Sequence, residues 1–179
     1  NLTIECALCT TNRAYWTIKL NIVGLSYDLF YIQETKTMTL QEMFDKAVAH
    51  FAQMEKPSMS TPSEYGGSDC AYRGHEGNKC IVGAFIDDAH YKHTFEGKGV
   101  LEYSTLGKTC GVQPVLNAVA ASMGVEALSY EQGRLLYKLQ LVHDDHSDGF
   151  DIGEDNWYET VELFLRELAD DCDLEYKEV

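Results

Sequence analysis

The sequence predicts an α+β fold in which helices pack around a central β-hairpin, with a small strand, helix, strand unit ahead of it. Three observations carry this. Residues Cys70 to Tyr91 concentrate glycines, Asn78, thiols and imidazoles beside a short apolar run. Four stretches outside that segment place apolar residues at helical spacing. The first 34 residues read as strand, helix and strand in turn. Two units are expected, residues 1–37 and residues 38–179.

Taken in order, Thr3-Ile4-Glu5 is strand-like and is followed by Cys6-Ala-Leu-Cys9. Ala14, Ile18 and Ile22 are spaced as on one helical face, so Thr10 to Val23 is expected to be a helix that Gly24 stops. Leu25 to Ile32 is rich in aromatic and branched residues, as strands are. A thiol at a helix N-terminus is favoured as thiolate, which makes Cys6 and Cys9 the candidate redox pair. Thr39-Leu-Gln-Glu42 is a capping box, and Leu40, Phe44, Val48 and Phe51 continue it as a helix to about Gln53. Pro57 to Gly67 is a loop.

In the predicted hairpin, Ala71-Tyr72 and Cys80-Ile81-Val82 are the arms, and Gly74 and Gly77 with Asn78 make the turn. Arg73 is expected to clamp it by pairing with Asp87 or Asp88. Thr94 to Gly111 has no clear period. Val112 to Met123 is expected to be helical, with Pro114 in its first turn. Ser129-x-x-Gln132 caps a helix with Leu135, Leu136, Leu139 and Val142 in a stripe up to His143. After an acidic turn from Asp144 to Asp155, Asn156-x-x-Glu159 opens a last helix with Trp157, Val161, Phe164, Leu165 and Leu168 on its buried face.

Charge narrows the function. There are 29 acidic and 14 basic residues, a net −15, and from Asp144 onward 14 acidic residues face only Arg166 and Lys177. Such a surface repels nucleic acid, which proteins hold through Lys and Arg on phosphates. It suits a basic protein partner instead, with Asp144, Asp145, Asp148, Asp151, Glu154, Asp155 and Glu162 as the expected contact residues. No apolar run is long enough to span a membrane and no secretory leader pattern opens the chain, so a soluble cytoplasmic protein with mostly reduced thiols is expected.

Candidate chemistry lies in three places. Cys70, His75 and Cys80, with His90 and His93 further on, offer thiol and imidazole donors for a zinc-stabilised module, although their spacing matches no short-knuckle pattern. Cys80 or Cys110 with His75, His90 or His143 and an acid would make a nucleophilic set. His143-Asp144-Asp145-His146-Ser147-Asp148 looks like an imidazole and carboxylate cation site at a helix end. No glycine-rich phosphate loop is present and no cofactor is expected.

Two resemblances add to this. Cys6-Ala-Leu-Cys9, Arg13 and Gly24-Leu-Ser-Tyr-Asp28 resemble the opening βαβ of glutaredoxin-like redoxins. That implies a thioredoxin-like fragment in which Cys6 attacks a disulfide and Cys9 resolves it. Residues 38–179 resemble a family of small uncharacterised proteins of tailed phages and prophages. The carrying residues are Thr39-Leu-Gln-Glu-Met-Phe-Asp45, Ala71-Tyr-Arg-Gly74, Lys79-Cys-Ile-Val-Gly83, Ile86, Asp88, His143-Asp144 and Trp157. This implies a phage accessory protein, non-enzymatic, that binds a host or phage protein, such as a basic or nucleic-acid-binding one, in the host cytoplasm. Arg73, Gly74 and Trp157 are its expected structural residues. A thiol-disulfide oxidoreductase and a zinc-stabilised binding module are the alternatives.

Overall fold

A computed structural model describes the backbone of residues 2–8, 13–22 and 25–34, and backbone and side chains of 37–61, 69–100, 114–144 and 157–178. Its first elements are three strands, β1 (Leu2–Leu8), β2 (Arg13–Ile22) and β3 (Leu25–Glu34). They form an antiparallel meander in the order β1-β2-β3, with Cys6 opposite Trp16 and Ile18 opposite Leu29.

This corrects the expected βαβ fragment: Arg13–Ile22 is a strand where a helix was expected. The physical reason is in the sequence. Ala14, Trp16, Ile18, Leu20 and Ile22 are apolar at every second position, with Thr17, Lys19 and Asn21 between them, and Trp, Tyr, Thr and Ile favour strands. A spacing of four residues fits period two as well as it fits a helix. A strand at Arg13–Ile22 stands where the helix was expected, so the helix dipole invoked for Cys6 and Cys9 has no described helix to come from, and the thioredoxin-like reading of this segment falls with it.

The central hairpin is corrected too. Among the described residues outside β1 to β3, the only β pairings are two isolated bridges, Met59 with Cys70 and Arg73 with Lys79. The arms are too short to build a ladder, and side chains take the backbone groups a ladder would use. The Glu96 carboxylate accepts the N–H groups of Tyr72 at 2.9 Å and of Arg73 at 3.1 Å. The Arg73 guanidinium donates to the carbonyls of Gly83 at 2.7 Å, Ile86 at 2.5 Å and Tyr72 at 3.2 Å, and to Asp88 at 3.0 Å. Its planar face lies over the Tyr91 ring, 4.9 Å from the centroid. Residues 71–100 are therefore a coil knotted by one arginine and one glutamate, with short 3-10 turns at Gly83–Phe85 and His93–Phe95.

The rest is helical: α1 (Leu40–Phe51), α2 (Pro114–Ser122), α3 (Tyr130–Asp144) and α4 (Trp157–Asp171). Helix α1 starts at a closed capping box, Glu42 N–H to Thr39 Oγ1 at 3.1 Å and Thr39 N–H to Glu42 Oε2 at 2.7 Å. Ser129 and Gln132 make the same exchange ahead of α3, at 3.2 and 2.8 Å. One core joins these elements. Phe44 and Phe51 from α1, Ile81, Phe85 and Ile86 from the coil, Leu136 and Leu139 from α3, and Leu165 from α4 are all fully buried in it. Each contributes roughly 2 kcal/mol by burial. Trp157 packs edge-on against Phe51 at 5.6 Å and closes the base of α4. No helix among the described residues is long and apolar enough to cross a membrane.

His50, near the end of α1, is held below its ordinary pKa, first by burial, although its Nε2 bonds to the Lys79 carbonyl at 2.9 Å. The folded state thus binds a proton at His50 less readily than the unfolded chain does. Its contribution to stability is full above the unfolded value near 6.5 and is lost as pH falls below it. Urea midpoints should fall between pH 7 and pH 5, and His50→Gln, which can still donate to the carbonyl, should flatten that fall.

Candidate metal centre

Three donors from distant parts of the chain meet at one end of α3. Cys70, His143 and Asp144 each offer a ligand atom, and these atoms lie within 4.8 Å of one another. The thiol comes from the coil. Its segment is pinned across residues 58–60 by Ala71 N–H to the Ser58 carbonyl at 2.8 Å and Ser60 N–H to the Asp69 carbonyl at 2.7 Å. The imidazole and the carboxylate come from the last two residues of α3.

Helix geometry explains why those two neighbours do different things. His143 is one turn beyond Leu139 on the buried stripe of α3 and is only 1% exposed. Asp144 follows Tyr137 and Gln140 on the adjacent face, which forms a wall of a cleft of about 530 Å³. Cys70, Tyr72 and Lys98 line the same cleft. His143 Nδ1 lies 3.1 Å from Asp144 Oδ1, so carboxylate and ring fix each other's orientation.

The electrostatics of this corner favour a cation. Asp144 ends a helix, where the last carbonyls carry about half a negative charge, and its own carboxylate adds to that. An isolated thiolate is opposed here. The neighbouring Cys80 thiol is pushed up to about 12, first by burial and further by the charge of Asp144. A divalent cation reverses the sign, because it holds the thiol deprotonated and neutralises the carboxylate at once. The donor set of one sulfur, one nitrogen and one oxygen suits zinc and its close analogues rather than magnesium or calcium. In a tetrahedral zinc site with bonds of about 2.0 to 2.3 Å, ligand atoms stand roughly 3.3 to 3.8 Å apart, so a trio whose atoms lie within 4.8 Å of one another would need to close by at most about 1 Å to hold such an ion. Asp144 is partly exposed and Cys70 half-buried, which leaves both room to move that far.

The other expected site residues are placed as follows. Cys80 is buried beneath the same cleft, where its sulfur accepts the Gly83 N–H at 3.2 Å. His75 is exposed, with Nδ1 3.1 Å from the Met59 carbonyl, and neither it nor Cys80 belongs to the trio. His90 and His93 are exposed as well. Gly74 is buried and donates its N–H to the Asn78 carbonyl at 2.9 Å. Glu162 accepts from Arg166 at 2.8 Å on α4. Cys6 sits on β1 with its side chain outside the described residues, and Cys9, Cys110, Asp145, Asp148, Asp151, Glu154 and Asp155 lie outside them altogether.

Sequence reasoning held both halves of this centre, Cys70 in one candidate site and His143 with Asp144 in another, and did not join them. No signal of spacing joins residues 70 and 143; only the folded coil does. No family model, no curated protein and no solved structure matches the chain, which leaves both family resemblances without a relative to support them.

Proposed function

We propose that this chain binds a divalent metal ion of the zinc class through Cys70, His143 and Asp144. The convergence of those three ligand atoms within 4.8 Å, at the negative end of a helix, carries the reading. The metal ties the knotted coil, which has little regular structure of its own, to the end of α3. Protein purified without chelator and dialysed against trace zinc should hold one zinc per chain by elemental analysis and unfold at a higher temperature than the chelator-treated form. Zinc content near zero with no thermal shift would end this reading.

A second reading, binding of a basic protein partner, has its own observation. Leu141, Val142, Phe164 and Leu168 line a groove of about 300 Å³ between α3 and α4, rimmed by Glu167, Asp171 and Lys138, whose ammonium lies 3.6 Å from Asp171, so the rim keeps a net negative charge. Leu163 stands 55% exposed on α4. An apolar groove with an acidic rim complements an amphipathic helix with basic flanks. A synthetic Leu and Lys helical peptide should bind at low salt and lose affinity to Leu141→Glu, a change at an exposed residue of the groove wall, whereas equal binding by that variant would remove the groove from consideration.

A further inference from the structure

The metal's remaining coordination position has a visible surrounding. Two of the three ligands, Cys70 and Asp144, line the cleft, so a metal held between them faces its open space. A volume of about 530 Å³ is of the size that takes small molecules. The walls are ordered by a polar chain: Tyr72 donates its hydroxyl proton to the Lys98 carbonyl at 2.7 Å, and Gln140 Nε2 donates to the Tyr72 oxygen at 3.2 Å. Gln140 Oε1 in turn accepts the Val100 N–H at 2.6 Å. This chain ties the Gly97-Lys98-Gly99 rim to α3 across the cleft.

The charges select the ligand. Among the described residues, Lys98 is the single basic one lining the cleft, and no ion pair holds it. A zinc-class dication with one thiolate and one carboxylate is neutral, and Lys98 and Asp69 in the lining offset one another, so at most one further negative charge is admitted, beside Lys98. A second would meet Asp69, which lines the same cleft next to Cys70. We infer that the metal's open position faces this cleft and takes a small ligand with a single carboxylate-type oxygen anion, placed against Lys98. The inference rests on the metal-binding reading above. It assigns Lys98 to anion selection, and Tyr72 and Gln140 to holding the rim.

Cobalt(II) tests both levels separately, because its visible bands report the ligands around it. The probe is acetohydroxamate, which on a metal is an oxygen donor of one negative charge shaped like a carboxylate, and sulfate is the doubly charged control. Cobalt-loaded full chain should show saturable band changes with acetohydroxamate and none with sulfate. Lys98→Gln, an exposed substitution, should weaken acetohydroxamate roughly three- to tenfold while leaving cobalt affinity unchanged. Cobalt bands that ignore acetohydroxamate would show a closed site and overturn the inference while leaving metal binding intact. Equal acetohydroxamate affinity in Lys98→Gln, or a response to sulfate as strong as to acetohydroxamate, would overturn the anion selection. Absence of any cobalt band would instead overturn the metal-binding reading beneath it.

Discussion

Changing Cys70 to serine should weaken zinc binding by at least about 100-fold, as judged by competition with a chromophoric chelator. Loss of a group that merely orients a ligand costs 10- to 100-fold in such sites, and here the thiolate itself would be lost. Serine is close to isosteric, and Cys70 is half-buried at a bridge held by backbone bonds of its neighbours, so the fold should survive. His143→Gln should act similarly, but as a change inside the core it should also lower stability. Asp144→Asn separates two roles of the carboxylate. An amide can still accept from the ring, so a large loss of affinity in this variant marks Asp144 as a direct ligand, and a small one marks it as the group that orients His143. Equal zinc affinity in Cys70→Ser and the parent would contradict the assignment.

Gly83→Ala should be among the most destabilising single changes in the molecule. A Cβ there would overlap the carbonyl oxygen of Tyr72, lie 3.1 Å from its carbon and come within 3.3 Å of Arg73 Nη1. A flexible side chain could yield, but the nearest obstacle is backbone. Relief requires Tyr72 to move, and Tyr72 shares its carbonyl with the guanidinium that also holds Gly83 and Ile86. Breaking that set leaves buried carbonyls and a half-buried charge poorly matched, at a cost on the order of 3 kcal/mol or more, a large part of a typical domain's 5 to 15 kcal/mol. Gly97→Ala is the control: its φ of +70° is strained for alanine, yet no atom lies within 4 Å of the added carbon. It should cost only about 1 to 2 kcal/mol by urea denaturation. Zinc at 100 times its dissociation constant should return about 2.7 kcal/mol to Gly83→Ala, because the metal binds only the folded coil.

The helices were legible because their signals are local. Thr39 with Glu42 and Ser129 with Gln132 sit three residues apart, and each pair closes on its own helix start. The coil was not, because its organisers are remote. Glu96 reaches back to Tyr72 and Arg73, and Arg73 reaches forward to Ile86 and Asp88, so the groups that replace a β-ladder belong to no spacing rule. In β2 the period is ambiguous: residues 14, 18 and 22 fit a helical face, and the apolar residues 16 and 20 between them decide for a strand. The centre combines both lessons. His143 reads as the end of an apolar stripe and Cys70 as a small core residue until the knotted coil lays one beside the other.

The most direct test is X-ray absorption at the zinc edge of the loaded protein, which counts the atoms bound to the metal. One sulfur at about 2.3 Å, with nitrogen and oxygen donors at about 2.0 to 2.2 Å, is the result expected from Cys70, His143 and Asp144. A zinc with no sulfur neighbour, or with two or more, would contradict it.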